Sequence, residues 1–196
     1  MILAVEDVLS EAIARALILY TKIAEFPRSI GLTGAGYLKS KAEALNRPAS
    51  AGPIFLLTDL DTDRACPLDL IQKWVRGPLH PNFLFRVAVM EIESWILADR
   101  EACAALLRVP LTRIPGDTDN IPNPKEFLVN LARRSSVKRL REEFVPRQGS
   151  TAAVGPGYNS RLQEFVREQW NPERASAASA SLRRTLARLA AMSKQG

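Results

Sequence analysis

In Pro53-Ile54-Phe55-Leu56-Leu57-Thr58-Asp59-Leu60-Asp61-Thr62-Asp63, five consecutive apolar or β-branched residues, Ile54 to Thr58, run straight into three acids at alternate positions. An unbroken run of this kind predicts a strand buried on both faces, as in a parallel sheet. Carboxylates crowded at Asp59, Asp61 and Asp63 repel one another unless a divalent cation sits among them. Hard oxygen ligands at the carboxyl end of a buried strand suit Mg²⁺ or Mn²⁺. The strand end is therefore a candidate active site.

Working outward, the chain upstream repeats the theme of strand, acid and helix. Ile2 to Val5 is a short apolar run that stops at Glu6, and Val8, Ala12, Ala16 and Tyr20, flanked by Leu9, Ile13 and Leu17, make one helical face. Glu11 and Arg15 pair outside that face. Glu6 would project from the carboxyl end of its strand, where ligands bind in open α/β sheets. Pro27 ends the first helix, Gly31, Gly34 and Gly36 mark a loop, and a short basic helix is expected around Tyr37 to Leu45.

Downstream, Pro67 to Arg76 reads as a helix stopped by Gly77-Pro78, and Asn82 to Met90 as a third strand that continues directly into Glu91-Ile92-Glu93. In extended chain Glu91 and Glu93 share a face; in a helix they sit about 200° apart, so only the extended case is expected to bring both to one site. From Arg100 onward no strand is evident. Leu111 to Pro124 is a polar loop, followed by helices over Lys125–Arg134, Val137–Phe144, Tyr158–Gln169 and Ser179–Met192. The pattern predicts an α/β fold with a mainly parallel sheet over residues 1–100 and a helical C-terminal part, residues 101–196, packed on it.

A chain of 196 residues suits one domain with a proper core. Its net charge of +6 is uneven: residues 133–196 hold 13 Lys/Arg and 5 Asp/Glu, a net of +8, leaving −2 for residues 1–132. An acidic first part joined to a basic last part fits a metal site beside a surface for a polyanion, although a solubilising basic helical surface gives the same balance. Arg133, Arg134, Lys138, Arg139 and Arg141 are the densest basic run, and Lys125 stands at a helix start; these are the candidate nucleic-acid contacts. Cys66 and Cys103 form no metal-ligand pattern. With no basic leader at the first residues and no apolar run near the roughly 20 residues needed to cross a bilayer, a reduced, cytoplasmic protein without membrane association is expected. Trp74, Trp95 and Trp170 fall at apolar helical spacing and are expected in the core, while His80, the one histidine, sits in a Pro-flanked turn and is a poor ligand.

Three chemistries compete for the acids. A helix-loop-helix calcium loop starting at Asp59 needs glycine at its sixth position and glutamate at its twelfth, where this chain has Arg64 and Leu70. A phosphatase with an aspartate nucleophile also begins Asp-x-Asp after a strand, but Asp63 stands where its pattern continues with Thr or Val. The third pairs Asp59 and Asp61 as metal ligands with a glutamate from an earlier strand, and Glu6 is that glutamate.

Glu6 after the first strand, Asp59-Leu60-Asp61 after a later one, and helices between them resemble the Toprim domain of topoisomerases, primases and overcoming-lysogenization-defect nucleases. A closer likeness, to the DUF4276 group of Toprim-like proteins, rests on Ile54 to Asp61, Arg86 to Asp99, Pro122 to Lys125, Val154 to Asn159 and Ser179 to Leu182. The resemblance implies a Rossmann-like core in which the Asp-x-Asp pair holds Mg²⁺ or Mn²⁺ for phosphodiester cleavage, with Glu6 as ligand or general base. It also implies a phage-defence or DNA-repair setting, DNA as the nucleic acid, and an AAA-type or ABC-type ATPase as partner. Two positions depart from the Toprim pattern: Asp7 replaces a glycine, and Ser10 stands where a further acid is usual. Glu91 and Glu93 are then the candidates for a second metal, with Asp63 a further candidate ligand. The alternative is a non-catalytic subunit that binds nucleic acid or an ATPase and keeps a vestigial metal site.

Overall fold

The computed structural model describes residues 1–60 and 66–194. Asp61 and Asp63 lie outside the described residues. The chain alternates strand and helix through β1 (Ile2–Val5), α1 (Val8–Thr21), β2 (Arg28–Gly31), α2 (Ala35–Asn46), β3 (Ile54–Asp59), α3 (Pro67–Trp74) and β4 (Phe83–Ala88). It then turns helical: α4 (Ile92–Ala98), α5 (Arg100–Leu107), α6 (Pro124–Arg133), α7 (Lys138–Phe144), α8 (Tyr158–Glu168), α9 (Pro172–Ser176) and α10 (Ala180–Ser193).

The sheet has the order β2-β1-β3-β4, and every pairing in it is parallel. This is the α/β architecture with a mainly parallel sheet that the apolar run at Ile54 predicts. The run is indeed covered on both faces, since Ile54 to Thr58 are all buried. Leu3, Val5, Phe55 and Leu57 join the larger core with α1, α4 and the C-terminal helices, whereas Ala4, Ile54 and Leu56 face α2 in a smaller one. Period-two alternation thus sends each strand into two cores. Helices α8 and α10 pack directly on α1, so the helical C-terminal part shares the larger core with β1 and β3.

Two differences from the sequence expectation have local causes. Residues 28–31, expected as loop, form the edge strand β2. Its four residues are partly or fully exposed, so no burial pattern announces it, and it is held instead by its ladder to β1. Gly31 (φ +101°) is needed there, because a Cβ would run into the Val5 carbonyl oxygen. The chain then turns over the end of β1, with Leu32 N–H bonding Val5 O (2.9 Å) and Gly34 N–H bonding Glu6 O (3.0 Å). At the other end of the sheet, β4 stops at Ala88 rather than Met90. Met90 adopts a left-handed conformation (φ +67°), costly for a non-glycine residue, and this turn separates β4 from α4.

Candidate active site

Three chain segments bring acids to the carboxyl edge of the sheet. Glu6 leaves the end of β1, Asp59 ends β3, and Glu91 follows the turn after β4. Because β1 and β3 are adjacent and parallel, their acids arrive side by side, and the link is direct. Glu6 Oε1 accepts from the Asp59 backbone N–H at 2.9 Å and from the Thr58 hydroxyl. Thr58 is fully buried, so this bond fixes the Glu6 carboxylate against β3. Asp7 has a different duty: its Oδ1 caps α1 by accepting from Leu9 N–H (3.0 Å) and Ser10 N–H (2.8 Å). Ser10 is itself buried, and Glu11 turns away to Arg15 (2.9 Å) and Ser29 (2.6 Å), so neither reaches toward Glu6 in the way a further acid would.

Glu91 and Glu93 do reach one place, although not by sharing an extended strand. Glu91 is the extended N-cap of α4 and Glu93 lies in its first turn. The expectation that only two extended residues converge is therefore corrected: the bend between cap and helix turns both carboxylates toward Lys125. Lys125 Nζ lies 3.5 Å from Glu91 Oε1 and 3.7 Å from Glu93 Oε1, and Glu91 Oε2 also accepts the Lys125 backbone N–H at 2.8 Å. An acid there satisfies an otherwise orphan donor at the start of α6.

Glu93 is 1% exposed. Its Oε1 accepts from the Tyr158 hydroxyl at 3.0 Å, while Oε2 is buried without a hydrogen-bond partner. Burial pushes its carboxyl from 4.5 up to about 7; Lys125 and the Tyr158 hydrogen bond pull the other way, and the Glu91 charge adds to the rise. Lys125 shows the complementary balance. Burial opposes its charge, but Glu93, Glu91, Asp59 and Asp7 together outweigh that and raise its pKa, which also places all four acids within electrostatic reach of one ammonium. Tyr158 is held well above the usual phenol range, first by burial and then by Glu93.

Tyr158 is the contributor that spacing alone misses. It opens α8 after Val154-Gly155-Pro156-Gly157, and those glycines allow a tight dock on the end of α7: Gly155 N–H bonds Phe144 O and Gly157 N–H bonds Glu143 O, each at 2.9 Å. A Cβ on Gly155 would sit 2.5 Å from Glu143 O, too close to tolerate. A glycine-proline-glycine run directly before an aromatic residue is the signal that marks it.

For a metal ion, Glu6 and Asp59 offer hard carboxylate oxygens from adjacent strands, the donor chemistry that suits Mg²⁺ or Mn²⁺. They fit as part of a ligand set. Among the described residues no group of three or more potential ligands forms a metal-binding cluster, and Glu91 and Glu93 are engaged with Lys125. Of the basic candidates, Arg133, Arg134, Lys138 and Arg139 are exposed. Arg133, Lys138, Arg139 and Arg141 line a cleft of about 830 Å³ with Arg147, although Lys138 and Arg139 are already paired with Glu142 (3.6 Å) and Glu143 (2.7 Å). Helix α6 joins the two regions, with Lys125 in its first turn and Arg133 at its end, roughly 12 Å apart along the helix axis. No helix among the described residues is long and apolar enough to cross a membrane. Comparisons with family models, curated proteins and solved structures find no match to this chain.

Proposed function

We propose that the chain is a Toprim-like hydrolase that cleaves phosphodiesters of nucleic acid, DNA in the first instance, with Mg²⁺ or Mn²⁺ bound by Glu6 and Asp59. The observation that carries this reading is the bond from Asp59 N–H to Glu6 Oε1, which holds acids from two adjacent parallel strands at one edge of the sheet. Asp61 belongs to the proposed ligand set by its alternate position after Asp59. When bound, the metal polarises the phosphoryl oxygen and lowers the pKa of a coordinated water. Thr58 orients Glu6, which serves either as metal ligand or as the general base that accepts a proton from the attacking water. Lys125 supplies a positive charge close to the acids, and its partners Glu91 and Glu93 keep it there. The α6–α7 cleft, with five basic side chains on its lining, gives the backbone of the substrate a place to lie.

The alternative is a non-catalytic subunit of a phage-defence or DNA-repair assembly, bound to nucleic acid or to an AAA-type or ABC-type ATPase. Buried Ser10, with Glu11 committed to Arg15 and Ser29, favours that reading, because neither position of α1 adds an acid to Glu6. Supercoiled plasmid incubated with Mn²⁺ distinguishes the two, together with Mn²⁺ titration by calorimetry, on wild type and Asp59→Ala. Hydrolysis predicts nicking and Mn²⁺ binding that are both lost in D59A. Nicking that persists in D59A, or Mn²⁺ binding untouched by it, would overturn the assignment of the site.

A further inference from the structure

Strand β4 is the edge of the sheet beyond β3, and its sequence Phe83-Leu84-Phe85-Arg86-Val87-Ala88 carries one charge in an otherwise apolar run. Alternation sets Arg86 on the same face as Leu84 and Ala88, the side on which α10 packs against β4. Arg86 Nε is buried and has no hydrogen-bond partner, an exception to the rule that buried donors are satisfied. Arg184 and Arg188 approach it from α10, four residues apart and so on one helical face. Burial lowers the Arg86 pKa, and the charges of Arg188 and then Arg184 lower it further; among the described residues no acid offsets them. Arg188 otherwise makes one bond, to Pro81 O at 3.3 Å.

A cavity of about 370 Å³ opens between Arg86 and Arg184, and its other wall is apolar, built from Leu68, Ile71, Val87 and Val89. Two hydroxyls on the lining have their protons committed elsewhere, Ser181 to Asp119 and Thr185 to the Ser181 carbonyl, so the guanidinium groups of Arg86 and Arg184 are the charged donors on the lining, beside the Cys66 thiol. Guanidinium forks match phosphate oxygens in pairs, and arginines gathered where no carboxylate among the described residues pairs with them favour a bound anion.

We propose that Arg86 and Arg184 form a phosphate-binding pocket at the edge of β4, with Arg188 adding positive charge beside it and Leu68 and Ile71 receiving the organic part of a phosphate ester. Arg86 stands two residues before Ala88, the register partner of Asp59, hence roughly 7 Å along the strand from the candidate active site. The pocket takes either a mononucleotide or one phosphate of a single strand. It does not depend on hydrolysis, since a non-catalytic subunit uses it equally well.

The test measures binding of inorganic phosphate, adenosine monophosphate and a short single-stranded oligonucleotide, in chelator, by calorimetry and thermal shift. The proteins are the full-length wild type, Arg86→Gln, the pair Arg184→Gln/Arg188→Gln, of which Arg184 is exposed and Arg188 half-buried, and Lys39→Gln on α2 as a control for diffuse charge. Wild type is expected to bind at least one ligand. Affinity falls roughly tenfold or more in R86Q and in the double variant, and stays unchanged in K39Q. R86Q itself is expected to fold, because it removes a half-buried charge whose Nε has no partner and keeps a polar amide in its place; should it fail to fold, the double variant gives the same answer. Mononucleotide binding as tight as the oligonucleotide assigns a small ligand, and oligonucleotide binding alone assigns a strand. The proposal is overturned if wild type binds none of the three, if the arginine variants bind as wild type does, or if K39Q loses as much.

Discussion

Replacing Glu93 by Gln removes a buried titration while keeping the side chain's shape and an acceptor for Tyr158. In the folded chain burial lifts this carboxyl from 4.5 to about 7 in spite of Lys125. A raised folded-state pKa means that the fold binds the proton more tightly than the unfolded chain does. The resulting stabilisation is complete below about pH 4.5 and is lost as pH rises through about 7. Integrated from about pH 5 to about pH 8, the loss is on the order of 2–3 kcal/mol, or roughly 5–10 °C in Tm for a chain of this size. Glu93→Gln has no such titration. Thermal unfolding of both proteins, followed by circular dichroism in chelator at half-unit pH steps, should therefore show the stability of E93Q minus that of wild type growing by that amount across the range. A difference that stays constant with pH would refute the reasoning. It would mean that Lys125 outweighs burial and keeps Glu93 ionised throughout.

The same titration gives a second check: Tyr158→Phe deletes a hydrogen bond that lowers the Glu93 pKa, so the pH-dependent loss of stability should move to higher pH in Y158F. Thr58→Val removes the hydroxyl that orients Glu6, and Mn²⁺ affinity measured by calorimetry should fall on the order of tenfold with little change in fold. Gly31→Ala places a Cβ against Val5 O at φ +101° and should cost about 1–3 kcal/mol in urea unfolding. Asp99 is 1% exposed and takes a two-point contact from Arg174 (2.9 and 2.6 Å), whereas Arg174 is half exposed. Arg174→Ala, which leaves a buried carboxylate without its counter-charge and with the Asn171 N–H (2.8 Å) still donating to it, should therefore destabilise by about 3 kcal/mol, and Asp99→Asn by clearly less, since Arg174 can turn to water.

The elements that were legible beforehand are those whose evidence is local. The run Ile54 to Thr58 is buried on both faces, and a strand between two parallel neighbours satisfies its backbone while hiding every side chain. The last helix is announced by its apolar spacing and by Ser179, whose hydroxyl accepts the Leu182 N–H at 3.1 Å. Strand β2 was not legible, because its order comes from hydrogen bonds to β1 and not from its own side chains. For Glu91 and Glu93 the sequence offered two regular conformations, and the chain uses the bend between them. That bend turns on the left-handed Met90, a conformation a non-glycine residue does not advertise.

The sequence alone determined that this is an α/β chain with acids at two strand ends, since burial periodicity and the abrupt change from apolar to acidic residues are properties of short segments. It could not decide which charges meet. Glu6 and Asp59 are 53 positions apart, Tyr158 and Glu93 are 65 apart, and Arg86 meets two arginines from the last helix. Strand order and helix docking bring these groups together, and the strength of each contact is set by how far the surrounding core keeps water away. A lysine among four acids, a glutamate titrating near neutrality and an arginine with no counter-charge among the described residues are products of that burial, which no segment possesses until the whole chain has packed.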